Sequence, residues 1–402
     1  MRLTVLNQFY APDISPTAQL AASLAEHRAE LGDDVTVITG RAGYLEGLSG
    51  ASARAGAARV RVRRAWTPDL GKSSELRRVV GYLAYFAGAA LRVLRLPRQD
   101  VIVAMTTPPF AMVVALLHKA LHRRTRVVLW SMDCYPDAAE RFGELTPGGA
   151  ASRVLRRINR AAFRRLDHVI VLDGAMGTLL TSQYAAGPDA PPVTVVPNWE
   201  RADQFPPGAP VERWAGWDDL DVAGRTVVLY LGNTGVGHQF GTAVDAAAAL
   251  ADEAVFVFIG GGAKRADLAR AVAERGLTNV VLHEYVPKEA TGGVMAGADA
   301  ALITLDERSL GVMSPSKLHA NLAAGLPILY VGPAGSNVDE AIERFDCGAS
   351  LREGDVPGLV AAVRALAGDT SGLRQRARAA FDAAYCDTAT LPQLDAVLEG
   401  RR

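Results

Sequence analysis

Arg225-Thr226-Val227-Val228-Leu229-Tyr230-Leu231-Gly232-Asn233-Thr234-Gly235-Val236-Gly237-His238 is the stretch that decides how this 402-residue sequence folds. An apolar run too short for a helix and rich in Val and Leu ends in a glycine turn. That is the signature of a buried strand passing into a βα loop. Outward toward the C-terminus the unit recurs at residues 254–259, 279–283, 298–304 and 327–331, with helical spacers between. Toward the N-terminus a first series precedes it, at 2–7, 34–39, 100–105, 126–131, 167–172 and 193–196. Amphipathic stretches such as 17–31 and 152–165 separate several of these. Strands alternating with helices predict parallel sheets covered on both faces. Residues 197–224, rich in Pro, Gly, Asp and Trp, read as a connector between the two series.

Composition agrees with two domains. Apolar residues make up 49% of the chain, ample for two cores, and the charged fraction of 21% argues against disorder. Net charge is zero but unevenly placed, with 25 Lys and Arg against 16 Asp and Glu up to residue 195, and 18 against 27 beyond. A basic first half predicts something anionic facing it, or else a plain solvated surface. Cys134, Cys347 and Cys386 are widely spaced, fit no metal-ligand pattern and make an odd count for a disulfide framework. With an opening that runs straight into a strand pattern and no apolar run of membrane-spanning length, a cytoplasmic location is expected.

Five loops carry candidate chemistry. In 7–19, two prolines stiffen the chain and Ser15 caps a helix expected to begin at Pro16–Thr17, where free amides can meet an anionic oxygen. In 230–238, Gly232, Asn233 and Gly235 allow close approach of a phosphate ahead of an expected helix start, with His238 as a hydrogen-bond partner or a simple cap. In 313–318, Ser314 or Ser316 is expected to cap a helix whose first turn holds Lys317. A cation there opposes the helix dipole, a penalty that a bound diphosphate would reverse. In 283–289, Tyr285 is placed to lie beside a nucleobase or to form an aromatic lid on a surface turn. In 131–137, Asp133 and Tyr135 stand at the end of a buried strand, where Asp133 can act on a hydroxyl or orient a sugar, while Asp137 fits a helix cap. No Gly-x-Ser-x-Gly elbow, His-Glu-x-x-His or complete Walker Gly-x-x-x-x-Gly-Lys-Ser/Thr motif is present. The dinucleotide acid 20 residues past the glycine turn has only Glu253 as a rough match, so a dehydrogenase is unexpected.

Together these motifs resemble the GT-B glycosyltransferases, within them the retaining family 4 of bacterial capsule, colanic-acid and O-antigen type. The resemblance is carried by Phe9-Tyr10-Ala11-Pro12-Asp13 through Pro16-Thr17, by Asp133-Cys134-Tyr135-Pro136-Asp137, and by Val196-Pro197-Asn198. Gly232-Asn233-x-Gly235-x-x-His238 and Ser314-Pro315-Ser316-Lys317 complete it. It implies an α/β fold of two Rossmann-like doubly wound domains facing across a cleft: an acceptor domain at 1–196, a nucleotide-sugar donor domain at 197–380, and a segment at 381–402 crossing back. It implies transfer of a sugar from a nucleotide diphosphate, UDP above all, to an acceptor hydroxyl, with no metal and no further cofactor. Donor phosphates fall to Gly232, Asn233, Gly235, His238, Ser314, Ser316 and Lys317, and the sugar and acceptor to Pro16, Thr17, Asp133 and Tyr135. The sequence departs from the family at Val312 and Ala320, where many members carry glutamates. Asp339 and Glu340 are the candidates to replace them beside Tyr285 at the nucleoside.

The acceptor is the open question. Tyr82, Tyr85 and Phe86 together with Arg77, Arg78, Arg92, Arg95 and Arg98 compose either a basic segment for docking on an anionic membrane with a lipid-linked acceptor, or an ordinary packed helix with basic ends. A small soluble acceptor, and a nucleotide-sugar-binding protein without turnover, are the alternatives. Nothing in the pattern points to nucleic acid.

Overall fold

The computed structural model describes residues 1–13, 15–40, 59–66, 75–208, 211–368 and 370–401, and for residues 75–79 the backbone only. The chain forms two compact units. The first holds Met1–Val196, Gly311–Met313 and Leu391–Arg402, and the second holds Pro197–Leu310 and Ser314–Thr390.

In the first unit the elements run β1 (Arg2–Leu6), α1 (Pro16–Glu30), β2 (Asp34–Thr39), β3 (Arg61–Arg64), α2 (Glu75–Leu94), β4 (Val101–Met105) and α3 (Ala111–Leu121). They continue with β5 (Arg126–Trp130), α4 (Asp137–Arg141), α5 (Ala150–Phe163), β6 (His168–Val171), α6 (Gly174–Gln183) and β7 (Val193–Val195). The strand order is β3-β2-β1-β4-β5-β6-β7 and every pairing is parallel. Order reverses between β1 and β4, the place where open α/β sheets leave a crevice at their carboxyl ends. β3, absent from the sequence expectation, is the sequence Arg-Val-Arg-Arg on a sheet edge with three of its four residues exposed. It pairs with β2 through backbone and polar side chains, Arg61 with Asp34 among them, so apolar periodicity does not reveal it.

The second unit repeats the plan with β8 (Thr226–Leu231), α7 (Gly241–Ala249), β9 (Ala254–Ile259), α8 (Arg265–Glu274), β10 (Val280–His283), α9 (Thr291–Ala296) and β11 (Ala300–Thr304). After these come α10 (Lys317–Ala323), β12 (Ile328–Val331), α11 (Asn337–Phe345), β13 (Gly348–Leu351), α12 (Val356–Ala365), α13 (Ser371–Ala380) and α14 (Asp387–Glu399). The order β10-β9-β8-β11-β12-β13 is again parallel, with its reversal between β8 and β11. Alternate residues of β8 feed opposite layers: Val227 and Leu229 join one apolar cluster, Val228 and Tyr230 the other. Both faces are thus buried, as the near-continuous apolar strands required.

The connector is tied into the second unit's core by Trp217. Trp217 is 1% exposed, stands edge-on to Trp214 at 5.7 Å, and donates its indole N–H to the carbonyl of Gly293 at 3.2 Å. The crossing-back segment starts later than residue 381, the expected point. Phe381 and Tyr385 pack in the second unit's core, and only from Leu391 does the chain join the first unit. There the buried Arg28 guanidinium pairs with Asp33, Asp395 and Glu399, and Arg126 donates to the carbonyls of Val397 and Leu398 at 3.0 and 2.7 Å. Those charges anchor the last turns of α14 to α1 and β5.

Candidate active site

The switch point of the second sheet gathers most of the predicted phosphate residues. The loop after β8 and the loop after β11 leave from neighbouring strands on opposite sides of the reversal, so they meet. Asp306 donates its amide to the carbonyl of Gly237 at 2.9 Å, and the buried Ser309 hydroxyl donates to the same oxygen at 3.1 Å. Gln239 donates to the Asp306 carboxylate at 2.8 Å. Asp306 is also held by Arg308, whose guanidinium keeps this carboxyl well below the usual range.

Lys317 opens α10 and reaches back across this junction. Its Nζ lies 3.2 Å from the carbonyl oxygen of Asn233, 3.1 Å from Nε2 of His238, and 4.8 Å from the centre of the Tyr230 ring. Its stem runs beside Gly232, where an added Cβ would stand 3.2 Å from Cε. Among the described residues no carboxylate pairs with it. Desolvation lowers its pKa to about 7, so the ammonium is held in want of an anion. No side chain caps α10: Ser316 occupies the cap position without a side-chain capping bond, against the expectation, and Ser314 precedes it on the loop.

The glycine turn differs in one respect from its expected form. No helix follows Gly235 directly, since α7 starts only at Gly241. The turn instead offers backbone. Among the described residues, the amides of Asn233, Gly235, Val236 and Gly237 have no hydrogen-bond partner.

A second glycine loop, Gly260-Gly261-Gly262, follows β9 and was missed in the sequence, although three glycines directly behind a buried strand are a legible signal. It is stitched to the first: Thr234 donates its amide and hydroxyl to the carbonyl of Gly261 at 2.7 and 3.0 Å. Gly260 has φ +132°, and a Cβ there would lie 2.3 Å from the Gly232 oxygen, so no other residue fits. Tyr285, 56% exposed, covers this loop and donates its hydroxyl to the Gly261 carbonyl at 3.4 Å. That position, on the rim of the two glycine loops, matches a face for a flat ring.

The candidate replacements for the missing glutamates fare differently. Asp339 already receives the hydroxyl of Ser350, the Arg352 guanidinium at 3.0 Å and the amide of Gly335 at 2.7 Å, so its carboxylate is committed inside the unit. Glu340 is exposed one residue further along α11. Val312 is fully buried, its carbonyl accepting from the Cys134 amide at 2.9 Å. Ala320 lies within α10.

In the first unit the loop after β5 holds Asp133. The Thr106 hydroxyl, at the end of β4, accepts the amides of Met132 and Asp133 at 2.9 and 3.1 Å, and Asp133 forms a backbone bridge with Met313. Burial raises the Asp133 carboxyl to about 6, a proton acceptor matched to neutral conditions. Asp137 has the structural role: it pairs with Arg156 at 2.7 Å and receives the Tyr184 hydroxyl. Tyr135 is half-buried, its carbonyl accepting from Asn159 at 2.6 Å. Ser15 caps α1 by accepting the Ala18 amide at 3.3 Å. Pro16 sits exposed in the first turn, and the Thr17 carbonyl accepts from Asn7 at 3.2 Å. Among the described residues no group of three or more His, Cys, Asp or Glu is arranged to hold a metal ion.

Two family matches cover most of the chain. Residues 17–199 match the glycosyl transferase 4-like domain, and residues 225–369 match the glycosyl transferases group 1. The chain is a family 4-like glycosyltransferase of GT-B fold. This enzyme is 26% identical over 380 residues to WcaI of Escherichia coli K12, a protein named for colanic acid biosynthesis glycosyl transfer, covering 90% of this chain and 91% of that protein. It is 33% identical over 187 residues to the 2-deoxystreptamine glucosyltransferase of Streptomyces kanamyceticus, covering 44% and 46% of the two chains. Its fold matches HepE of Anabaena, solved in complex with UDP, with a TM-score of 0.68 at 14% identity and complete coverage of both chains. The alternative of a binding protein without transfer activity is thereby set aside.

Proposed function

We propose that this enzyme moves a sugar from a UDP-sugar to an acceptor hydroxyl, with retention at the anomeric carbon, in the synthesis of cell-surface polysaccharide or glycolipid. One observation carries the reading: an ammonium with no carboxylate partner among the described residues lies against the glycine turn, whose amides are partly unbonded, where two strand-end loops meet. As the anomeric carbon–oxygen bond breaks, charge grows on the departing diphosphate. Lys317 and the amides of Asn233, Gly235, Val236 and Gly237 are preorganised to receive it, and a preorganised dipole stabilises developing charge without reorganisation. We assign that charge to Lys317 rather than to a metal ion. Tyr285 is assigned to the uracil. Asp133 is assigned to the acceptor: the hydroxyl oxygen bonds to the anomeric carbon, UDP leaves, and the hydroxyl proton passes to the carboxylate. The UDP complex of HepE and the naming of WcaI support donor and pathway class.

Calorimetry and turnover assays test the assignment. Lys317→Ala is expected to weaken UDP binding by about 10- to 100-fold, the worth of a charge-assisted contact. Unchanged affinity would remove Lys317 from the diphosphate.

The acceptor side is proposed to work at the inner face of the cytoplasmic membrane. No helix of the described residues is long and apolar enough to cross a membrane. Support for a peripheral contact comes from neighbouring helices: Leu83 and Leu94 of α2, Leu117 and Leu121 of α3, and Val154 of α5 are all exposed, with Arg95, Arg123, Arg124, Arg153 and Arg157 exposed beside them in sequence. Apolar side chains with basic neighbours suit anionic lipid. Tyr85 does not belong to this face, because it is fully buried with its hydroxyl toward the Ile38 carbonyl at 3.4 Å. The side chains of Arg77 and Arg78 lie outside the described residues. The local identity to the 2-deoxystreptamine enzyme favours a second reading, a small soluble acceptor. Mass-spectrometric screening of donor consumption against lipid and small-molecule pools separates the two.

A further inference from the structure

His238 stands in the glycine turn, at a place where direct phosphate binding was expected. Its hydrogen bonds say otherwise. Nδ1 lies 2.6 Å from the carbonyl oxygen of Thr304, at the end of β11. A carbonyl only accepts, so Nδ1 carries the proton and donates it. Burial, together with the adjacent Lys317 charge, lowers the imidazole pKa to about 3, so the ring is neutral. In a neutral ring with Nδ1 protonated, Nε2 has a lone pair and no hydrogen. That lone pair faces Nζ of Lys317 at 3.1 Å. The ring is held in this pose by Phe240, stacked at 6.3 Å, and by Tyr230, edge-on at 5.9 Å.

We propose that His238 is a positioning residue for Lys317: a neutral imidazole, fixed in one tautomer by the Thr304 carbonyl, aims the ammonium at the diphosphate and favours its charged form, without touching phosphate itself. The inference deepens the phosphate assignment and rests on it for the ligand, though the His–Lys coupling can be read without one. The titratable groups against Lys317 among the described residues are His238 and Tyr230. The Tyr230 phenol is pushed well above its ordinary range by burial and stays neutral. Neither brings a negative charge, so the imidazole lone pair, the Asn233 carbonyl and the Tyr230 ring face are what favour the ammonium.

The test has two arms on the full chain. The sequence holds five lysines, Lys72, Lys119, Lys264, Lys288 and Lys317, few enough to resolve by carbon-13 NMR of the ε-carbon and to assign with Lys317→Arg. In His238→Phe, which keeps a ring between Tyr230 and Phe240, the Lys317 titration should move down by about one pH unit, the scale of one lost hydrogen bond to an ammonium. His238→Gln, whose amide oxygen can accept, should restore it. A midpoint unmoved in His238→Phe overturns the proposal whatever the ligand is. The second arm is a double-mutant cycle read by UDP calorimetry. His238→Phe alone should cost about tenfold in affinity but little further in a Lys317→Ala background. Additive losses would mean that His238 meets the phosphate directly. Wild-type affinity in Lys317→Ala would strike the phosphate assignment while leaving the NMR result to judge the pair.

Discussion

Burial shifts the titration of both Asp133 and Lys317 toward neutral pH, and each shift carries a consequence for stability. Asp133 is raised to about 6 by burial. Its folded state binds a proton more tightly than the unfolded chain, so stability is greatest below the unfolded carboxyl range and falls as pH rises through 6. Asp133→Asn should therefore raise thermal stability at pH 8, by on the order of 2 kcal/mol, with the gain fading below about pH 4. The same variant should keep UDP affinity and lose turnover by about 100-fold or more, and wild-type activity should decline as pH drops through 6. A variant that turns over normally would end the assignment of Asp133. Lys317 has the opposite sign, a cation whose pKa is lowered to about 7. Its charge destabilises the free protein as pH falls from the ordinary lysine range toward 7. Lys317→Met should raise the melting temperature without ligand by about 2–6 °C while reducing the stabilisation that a given UDP concentration gives. The sequence showed where Lys317 stands, because a lysine in a first helical turn conflicts with the dipole. It did not reveal His238 as that lysine's acceptor, which depends on the Thr304 carbonyl 66 residues away.

Among elements, the site is two glycine loops fastened edge to edge. Gly260 is the tightest point, since any Cβ there meets the Gly232 oxygen at 2.3 Å in a left-handed backbone. Gly260→Ala is expected to cost about 1–3 kcal/mol and to weaken UDP binding by displacing the Gly232 turn. Gly276→Ala, also at positive φ but with nothing within 4 Å, is the control for backbone strain alone. Equal UDP affinity in both variants would separate the β9 loop from the ligand. Buried strands were legible because parallel sheets make them continuously apolar. The edge strands β3 and β13 were not, since Arg-Val-Arg-Arg and Gly-Ala-Ser-Leu carry no such pattern. The expected helix after Gly235 failed for a related reason: Asp306 and Ser309, far along the chain, tie Gly237 into a turn. Asp339 looked available in sequence and is taken by Arg352 and Ser350, partners 13 and 11 residues away.

For the whole molecule, the two series of strands read from sequence became two parallel sheets with their order reversals at β1/β4 and β8/β11, and those reversals explain why loops distant in sequence share a site. The charge imbalance between the halves persists as exposed arginines on α5 and in the turn after α3 of the first unit. Flotation with liposomes should recover the enzyme with anionic vesicles and far less with neutral ones, and Leu117→Glu with Leu121→Glu should reduce recovery without altering UDP affinity. Equal recovery from both vesicle types would count against the lipid contact. The account stands or falls on where the leaving group is gripped. A crystal structure of the UDP complex should put a β-phosphate oxygen about 2.7–3.2 Å from Nζ of Lys317, over the amides of Gly235–Gly237, with the uracil beside Tyr285. A diphosphate lodged away from both glycine loops, with Lys317 still paired only to His238 and Asn233, would contradict it.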